Sequence, residues 1–203
     1  ASGNPKIIEK AGVDAEIAKY ASLLSVWRNQ LYANESEVAS LPMRIESNER
    51  LLAALQTDAE RAQAVLGSDL VVNVHGRTYR GRDEIGEVLR ATVRSGRASI
   101  SRSARDEVIG TVGTFELCVF IGRAEDEVHL FVRGASSHEC RPCQTGPALH
   151  ASFVETIRAI ASHRYDCAQR LARMLSKLEG LAAELQRPFE HEDRLAALIA
   201  RQR

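Results

Sequence analysis

The sequence predicts an α+β protein: a long antiparallel two-helix coiled-coil arm with a small head, made of an antiparallel β-sheet plus a helix, inserted between the two arms. Apolar residues recur every seven positions near the start of the chain and again near its end, as in helices that pack along their length. Short β-branched runs separated by glycines lie between the two repeats, which is typical of antiparallel strands. Aromatic residues make up only 5% of the chain, and abundant Ala, Leu, Arg and Glu favour long helices.

The first arm is predicted over residues 14–66, after an irregular segment of residues 1–13 that contains glycine and proline. Asp14 is a suitable N-cap for this arm, and Gly67 can end it as a helix C-terminal residue. A lone helix would leave its apolar seam in water, so the seam predicts a partner helix. The seam consists of Ile17, Leu24, Leu31, Val38, Ile45 and Leu52, with Tyr20, Trp27, Leu41 and Leu55 in a second row.

The second arm is predicted over residues 152–203 and supplies the partner helix. Proline interrupts both arms: Pro42 predicts a kink or short break near residues 40–43, and Pro188 predicts a break near residues 187–189. At a rise of about 1.5 Å per residue, each arm could reach roughly 80 Å, and such matched lengths suit a hairpin. The seam of the second arm consists of Ile157, Leu171, Leu178 and Leu185, alternating with Ile160, Cys167, Met174 and Leu181.

The head is predicted over residues 67–151. Residues 70–74 and 77–79 are expected to form two strands joined by a tight turn at Gly76, and residues 83–94 have the apolar spacing of a helix. Further strands are predicted at residues 108–112, 114–122 and 128–132, which gives a sheet of roughly five strands. The pattern leaves residues 98–103 open between strand and loop, and it predicts mostly loop, with room for one short strand, at residues 134–149.

The composition excludes several classes of protein. The formal net charge is zero, so the charge of the whole chain predicts no obligatory nucleic-acid or membrane partner. No apolar run approaches the roughly 20 residues of a membrane-spanning helix, and no secretory start is present. We therefore expect a cytoplasmic protein without a membrane partner. We also expect a monomer rather than a dimer, because the two seams can cover each other. The chain begins Ala-Ser-Gly without Met, from which we expect it to be part of a longer polypeptide.

Charge is distributed unevenly within the head. Residues 77–105 contain eight Arg against three acidic residues, whereas residues 106–139 contain seven acidic residues against two Arg. The guanidinium group offers a planar fork to phosphate oxygens, so these arginines are candidates for contact with DNA. The alternatives are a solvated charged helix face and an Arg usage that reflects a GC-rich genome. The candidate nucleic-acid-binding residues are Arg77, Arg80, Arg82, Arg90 and Arg94, followed by Arg97, Arg102 and Arg105.

The candidate metal ligands are His138, Cys140 and Cys143, with His150 further along the chain. A C-x2-C pair can hold zinc through two thiolates, and imidazoles can complete a tetrahedral site. A redox-sensitive thiol pair and ordinary loop cysteines are the alternatives, because a second close pair of ligands is missing. No nucleotide-binding, hydrolase or metalloprotease motif is present. We therefore expect no catalytic residue, no cofactor and no enzyme activity in this segment.

Several short motifs occur in order along the chain. They are Ser2-Gly3-Asn4-Pro5, Glu9-Lys10-Ala11 and Asp14-Ala15-Glu16; Leu41-Pro42 before Ile45; Gly76 with Tyr79, Arg82, Gly86 and Leu89; Gly113 with Phe115 and Leu117; and Pro188-Phe189-Glu190-His191-Glu192 before Leu195. The series resembles the C-terminal, post-helicase region of large phage- and plasmid-borne proteins that fuse a Swi/Snf-like helicase to an adenine-specific DNA methyltransferase, including proteins of the defence-against-restriction type. The resemblance covers nearly the whole chain.

This resemblance implies a non-catalytic accessory domain of a DNA-processing protein. The ATP-dependent helicase and the DNA methyltransferase would be modules elsewhere in the parent chain, and they would be partners of this segment. The arm would act as a rigid spacer, and the Arg-rich head would contact DNA or a neighbouring domain. The alternative is a coiled-coil protein-interaction or oligomerisation module without nucleic-acid binding, in which the head only stabilises the end of the arm.

Overall fold

The structure is a computed structural model that describes residues 5–98, 105–122 and 128–202. These residues have the expected mixed α+β class, with four helices and a six-stranded antiparallel sheet. The helices are α1 (Pro5–Leu66), α2 (Arg82–Ala98), α3 (Gly146–Leu185) and α4 (Glu192–Gln202). The strands are β1 (Val71–Val74), β2 (Arg77–Arg80), β3 (Arg105–Val112), β4 (Phe115–Ile121), β5 (Val128–Arg133) and β6 (Ser137–Cys140).

The chain divides into two compact units. The helical unit comprises Ala1–Glu46 with Ala172–Arg203, and the sheet unit comprises Ser47–Leu171. The sheet unit therefore contains more than the predicted head of residues 67–151, because it includes the last turns of α1 and the part of α3 up to Leu171.

All neighbouring strands of the sheet pair antiparallel, in the order β2-β1-β3-β4-β5-β6. The turn between β1 and β2 contains His75 and Gly76, whose φ angles are 48° and 77°. Positive φ at both central residues is the requirement of a type I′ turn, which matches the twist of the two strands. Next to this hairpin, a side chain at Gly110 of β3 would overlap the carbonyl oxygen of Asn73 on β1, so only glycine fits there.

The core of the sheet unit lies between the sheet and segments of α1, α2 and α3. Helix α2 contributes Ile85 and Leu89, which are fully buried. Periodicity identifies the apolar face of this helix but not which other elements cover the sheet. The end of α1 and the start of α3 add Ala62, Val65, Leu149, Phe153, Ile157 and Ile160 to the same core. Full burial of each large apolar side chain contributes about 1.5–3 kcal/mol, so these two segments are integral parts of the sheet unit.

In the helical unit, α1 and α3 contact each other through side chains in reversed order along the chain. Asn34 Nδ2 donates a hydrogen bond to Glu184 Oε2 at 3.1 Å, and Lys177 Nζ donates to Glu37 Oε1 at 2.5 Å. The predicted seam residues in this unit are half-buried or buried: Ile17, Leu24, Leu31, Val38, Ile45, Leu178 and Leu185. In the sheet unit, the seam residues Leu52 and Leu171 are also half-buried.

The segment between α3 and α4 packs on α1 through aromatic rings. The ring centroids of Phe189 and Trp27 are 5.7 Å apart, and those of His191 and Tyr20 are 5.1 Å apart. Helix α3 ends at Leu185 and α4 begins at Glu192, so the helical pattern stops on either side of Phe189. Burial of Phe189 gives this short connection a fixed position within the helical unit.

Two expectations for the first arm are wrong. Helix α1 begins at Pro5, not at residue 14, because proline is well tolerated in the first helical turn. Residues 1–4 of the predicted irregular segment lie outside the described residues. Helix α1 also continues through Pro42, so the short break near residues 40–43 is wrong, although proline inside a helix costs about 3 kcal/mol. Leu41 and Ile45 beside it are buried, and their packing offsets that cost. A kink at this place stays a prediction.

Two further helix boundaries differ from the prediction. Helix α3 begins at Gly146, not at residue 152, because Thr145 caps it: the Ala148 amide donates to Thr145 Oγ1 at 3.4 Å. Strand β6 is the one short strand for which the prediction leaves room at residues 134–149, and with it the sheet has six strands where roughly five are predicted. Helix α2 extends to Ala98, and the rest of the segment left open between strand and loop, residues 99–103, lies outside the described residues.

Helices α2 and α3 meet at a pair of buried glycines. A Cβ atom added to Gly86 would overlap the backbone carbonyl of Gly146, and one added to Gly146 would overlap the carboxylate of Glu87. The absence of both side chains lets the two backbones approach closely. This contact holds α2 against the first turn of α3.

Gly86→Ala is expected to lower the free energy of unfolding of the sheet unit by about 1–3 kcal/mol, because the added methyl group must separate two packed backbones. Calorimetric unfolding measures the change. Gly180→Ala is the matched control, because a Cβ at Gly180 meets no atom within 4 Å. Alanine there should raise stability by about 0.5–1 kcal/mol through its higher helix propensity. Equal effects of the two substitutions would contradict the close contact.

Candidate nucleic-acid interface

The first group of candidate arginines lies at the edge of the sheet. Arg77 and Arg80 are on the edge strand β2, Arg82 is the first residue of α2, and all three are exposed. Because successive side chains of a strand point to opposite faces, Arg77 lies on the same face as the half-buried Tyr79, and Arg80 lies on the other. The structure therefore places these arginines along one sheet edge but not on one common face.

The second group is a row on α2. Arg90, Arg94 and Arg97 are spaced by four and three residues, so they follow one stripe of the helix. They line a cleft of about 500 Å³ in the sheet unit, called the arginine cleft below. Arg102, a further sequence candidate, lies outside the described residues. The other residues that line the cleft are Val93, Val128, Leu130, Cys140, Pro142, Cys143, Gln144 and Leu149.

Acidic residues elsewhere in the sheet already contact basic side chains. Arg133 on β5 pairs with Glu116 of β4 at 2.9 Å and also with Asp106 of β3. The hydrogen bond to Glu116 is the main reason why the pKa of Arg133 is raised. His129 Nδ1 lies 2.5 Å from Glu139 Oε1 across β5 and β6. These three acidic side chains therefore already have basic partners within the sheet.

Most arginines of the candidate interface, by contrast, have no acidic partner among the described residues. Arg90 pairs with Glu87 at 2.6 Å. Within residues 5–98, 105–122 and 128–202, no ion pair connects an acidic side chain to Arg77, Arg80, Arg82, Arg94 or Arg97. Among the described residues, these five arginines therefore differ from Arg133, whose guanidinium contacts two carboxylates.

The predicted metal ligands are not assembled into a metal site. In the part of the chain that the structure describes, no group of three His, Cys, Asp or Glu side chains could hold a metal ion. The ring of His138 faces Asp58 instead. Cys140 is buried on β6, and this burial raises the pKa of its thiol to about 12, whereas a zinc ligand must be a thiolate. The described residues therefore do not bring His138, Cys140 and Cys143 together as zinc ligands. Strand β6 directs His138 into a separate hydrogen-bond cluster instead.

That cluster joins α1 to the turn between β5 and β6. The fully buried Asp58 carboxylate accepts hydrogen bonds from the backbone amides of Ala135 at 2.7 Å and Ser136 at 2.8 Å. The Ser136 hydroxyl donates to it at 2.7 Å, and His138 Nε2 lies 3.1 Å away. Burial raises the pKa of Asp58, but the hydrogen bonds outweigh burial, and the pKa lies below its usual value. The carboxylate therefore stays ionised inside the protein.

The combination of Asp58, His138 and Ser136 has the residue types of a hydrolase triad but not its geometry. In a triad, Asp and Ser contact different ring nitrogens of His, so that Asp orients the ring while the other nitrogen accepts the Ser proton. Here Ser136 Oγ at 3.0 Å and Asp58 Oδ2 at 3.1 Å both contact Nε2. The Ser136 hydroxyl also bonds directly to Asp58. This geometry suits a cross-link between a helix and a turn.

Asp58 belongs to none of the motifs and spacings that predict a site from the sequence. Asp58 lies three residues after Leu55 and four before Ala62, both buried, so it is on the apolar stripe of α1. An acidic residue in such a stripe is almost never fully buried without a partner, and this was the available signal. Its partners Ser136 and His138 are 78 and 80 residues away, and no local pattern identifies them.

Searches against protein-family models, curated proteins and solved structures returned no match to this chain. Among the helices that the structure describes, none combines the length and the apolar character needed to cross a lipid bilayer.

Asp58→Asn is expected to lower the free energy of unfolding near neutral pH by about 2–4 kcal/mol, because an amide cannot replace a carboxylate that accepts from several buried donors. The pKa of Asp58 is lower in the folded chain. Its stabilisation is therefore fully present above the unfolded-state pKa of about 4 and is lost as the pH falls through the folded-state pKa. Urea unfolding near neutral pH and at about pH 3 should show less pH dependence in the variant than in the wild type.

Asp69→Asn is the control for this substitution, because Asp69 is exposed. A surface change of this kind should alter stability by less than about 0.5 kcal/mol. If the two variants lose the same stability, the buried cluster does not hold the turn.

Proposed function

We propose that this chain is a non-catalytic accessory domain of a helicase- and methyltransferase-type DNA-processing protein, and that its sheet unit contacts the phosphate backbone of DNA. We infer the DNA contact from which charged side chains of the sheet unit have an oppositely charged partner and which do not. Arg133 and His129 pair with acidic residues of the sheet. Five arginines on β2 and α2 have no such partner among the described residues: Arg77, Arg80, Arg82, Arg94 and Arg97.

Exposed arginines at a sheet edge suit phosphate contact without base recognition. Each guanidinium group can donate two parallel hydrogen bonds to a phosphate, and each neutralised phosphate releases counterions from the DNA. Contacts of this kind position a protein on DNA but carry no sequence information. The expected binding is therefore sequence-independent and strongly dependent on salt.

The proposed parentage rests on the ordered series of short motifs. Several motif residues have structural roles that suit a shared domain: Gly76 occupies the positive-φ position of the β1–β2 turn, and Phe189 packs beside Trp27. Gly86 lies at the close contact with Gly146. Under this proposal, ATP hydrolysis, strand separation and methyl transfer belong to other modules of the parent protein.

We propose further that α1 and α3 form an antiparallel coiled coil within the helical unit, with the role of a spacer. The reversed order of the Asn34–Glu184 and Glu37–Lys177 contacts supports this arrangement. The half-buried state of the predicted seam residues supports it as well. The competing possibility is an interaction module whose seam recruits a second copy. The stability of such a module would depend on protein concentration, whereas the stability of a hairpin within one chain would not.

Fluorescence anisotropy with duplex and forked DNA at two salt concentrations tests the DNA contact. Replacement of Arg77, Arg80 and Arg82 together by Gln should weaken binding at low salt. It should also reduce the slope of log K against log salt concentration by roughly 2–3, because about one phosphate contact is lost per arginine.

The matched control replaces Arg187, Arg194 and Arg201 by Gln, which removes the same charge from the helical unit. This control should bind DNA as the wild type does. Binding that is insensitive to salt, or an equal loss in both triple variants, would refute the proposed contact.

Leu31→Ala tests the coiled coil, because Leu31 is a half-buried seam residue. The substitution should destabilise the helical unit by about 1–3 kcal/mol, measured as a lower midpoint of helix melting by circular dichroism. The neighbouring substitution Tyr32→Ala is the control, since Tyr32 is 76% exposed, and it should change little. The melting midpoint should not depend on protein concentration. A midpoint that rises with concentration would instead identify pairing between copies.

A further inference from the structure

The arginine cleft combines cationic and apolar groups in one recess. Arg94 and Arg97 are exposed on its α2 side, and Arg90 is held by Glu87 at 2.6 Å. The apolar part of its lining consists of Val93, Val128, Leu130, Pro142 and Leu149. The volume of about 500 Å³ falls within the range of roughly 300–1,000 Å³ that is usual for small-molecule sites. A recess of this composition suits a ligand with an anionic group joined to an apolar, flat body.

A nucleotide has this chemistry. Its phosphate can accept hydrogen bonds from guanidinium groups, and its base can lie against apolar side chains or stack on the plane of an arginine. In a duplex the bases are paired and stacked, so only a base from a single strand or an opened end can enter such a recess. The cleft is therefore matched to an unpaired nucleotide rather than to duplex DNA.

We propose that the arginine cleft binds one unpaired nucleotide of a nucleic-acid single strand, with its phosphate on Arg94 and Arg97 and its base against the apolar lining. This inference rests on the proposed contact with nucleic acid and adds where an unpaired strand engages the sheet unit. The edge arginines Arg77, Arg80 and Arg82 do not line the cleft, so backbone contact and nucleotide binding can be tested separately.

Cys143 provides a reporter for occupancy of the cleft. It is half-buried and lines the recess, whereas Cys118, Cys140 and Cys167 are buried. Iodoacetamide carries no charge and so has no electrostatic attraction to the arginines. It should alkylate Cys143 of the folded full chain selectively, and mass spectrometry identifies the modified residue. A bound nucleotide should slow this reaction by covering the thiol.

The experiment measures the rate of Cys143 alkylation with a 5′-phosphorylated tetranucleotide, free dAMP, inorganic phosphate or a blunt duplex. The tetranucleotide should slow the reaction about tenfold at roughly ten times its Kd, since only the unoccupied fraction reacts. Free dAMP should protect at higher concentration, and inorganic phosphate and the duplex should protect little. Arg94→Gln combined with Arg97→Gln should abolish protection, whereas Arg158→Gln combined with Arg170→Gln, with the same loss of charge outside the cleft, should retain it.

The outcomes separate this inference from the proposed function. No protection by the tetranucleotide, or equal protection by inorganic phosphate, overturns the nucleotide site even if salt-dependent duplex binding persists. Protection by dAMP alone, without protection by the tetranucleotide, identifies a site for free nucleotides and also overturns it. Protection that survives in the Arg94 and Arg97 double variant, whose fold is checked by circular dichroism, refutes the assigned role of these arginines.

Discussion

The ionised Asp58 carboxylate is the interaction on which the organisation of the sheet unit depends. Removal of a carboxylate from water costs several kcal/mol unless hydrogen bonds replace its solvation. The amides of Ala135 and Ser136, the Ser136 hydroxyl and the His138 ring supply that replacement. A side chain at Gly134 would overlap the Asp58 carboxylate, so the turn must carry glycine at this position. Helix α1 and the β5–β6 turn therefore fix each other.

The position of this turn determines one wall of the arginine cleft. Strand β6 begins directly after the turn and pairs with β5 in a register that sets Cys140 opposite Leu130. Both residues line the cleft. The opposite wall is α2, whose placement depends on the contact between Gly86 and Gly146. A buried charge and a close backbone contact, neither of which touches a ligand, thus give the cleft its form.

Positive charge is concentrated locally in a chain of zero net charge, since residues 77–105 hold eight Arg against three acidic residues. Arg133 lies directly opposite Glu116 in the register of β4 and β5, and it reaches Asp106 on β3 as well. Opposed charges at such positions stabilise a sheet, so Arg133 holds these two carboxylates within the sheet. Beside β2, the neighbouring strand β1 has the sequence Val-Val-Asn-Val and presents no carboxylate to Arg77 and Arg80. The proposed contacts with nucleic acid use this local excess of charge, which the formal net charge conceals.

The sequence by itself determined what depends on neighbouring residues along the chain. The heptad spacing of Leu24 and Leu31 identified the helices and their covered face, and Gly76 between two short β-branched runs identified the first hairpin. Tertiary structure decided what depends on distant partners. Packing made α1 continuous through Pro42 and extended α3 back to Gly146. The fold also grouped Arg97 with Arg90 and Arg94 in one cleft. Arg77 and Arg80 lie apart from them, at the sheet edge. Tertiary structure also gave Asp58 its partners, because periodicity shows which face of an element is apolar but not which residues meet that face once the chain has folded.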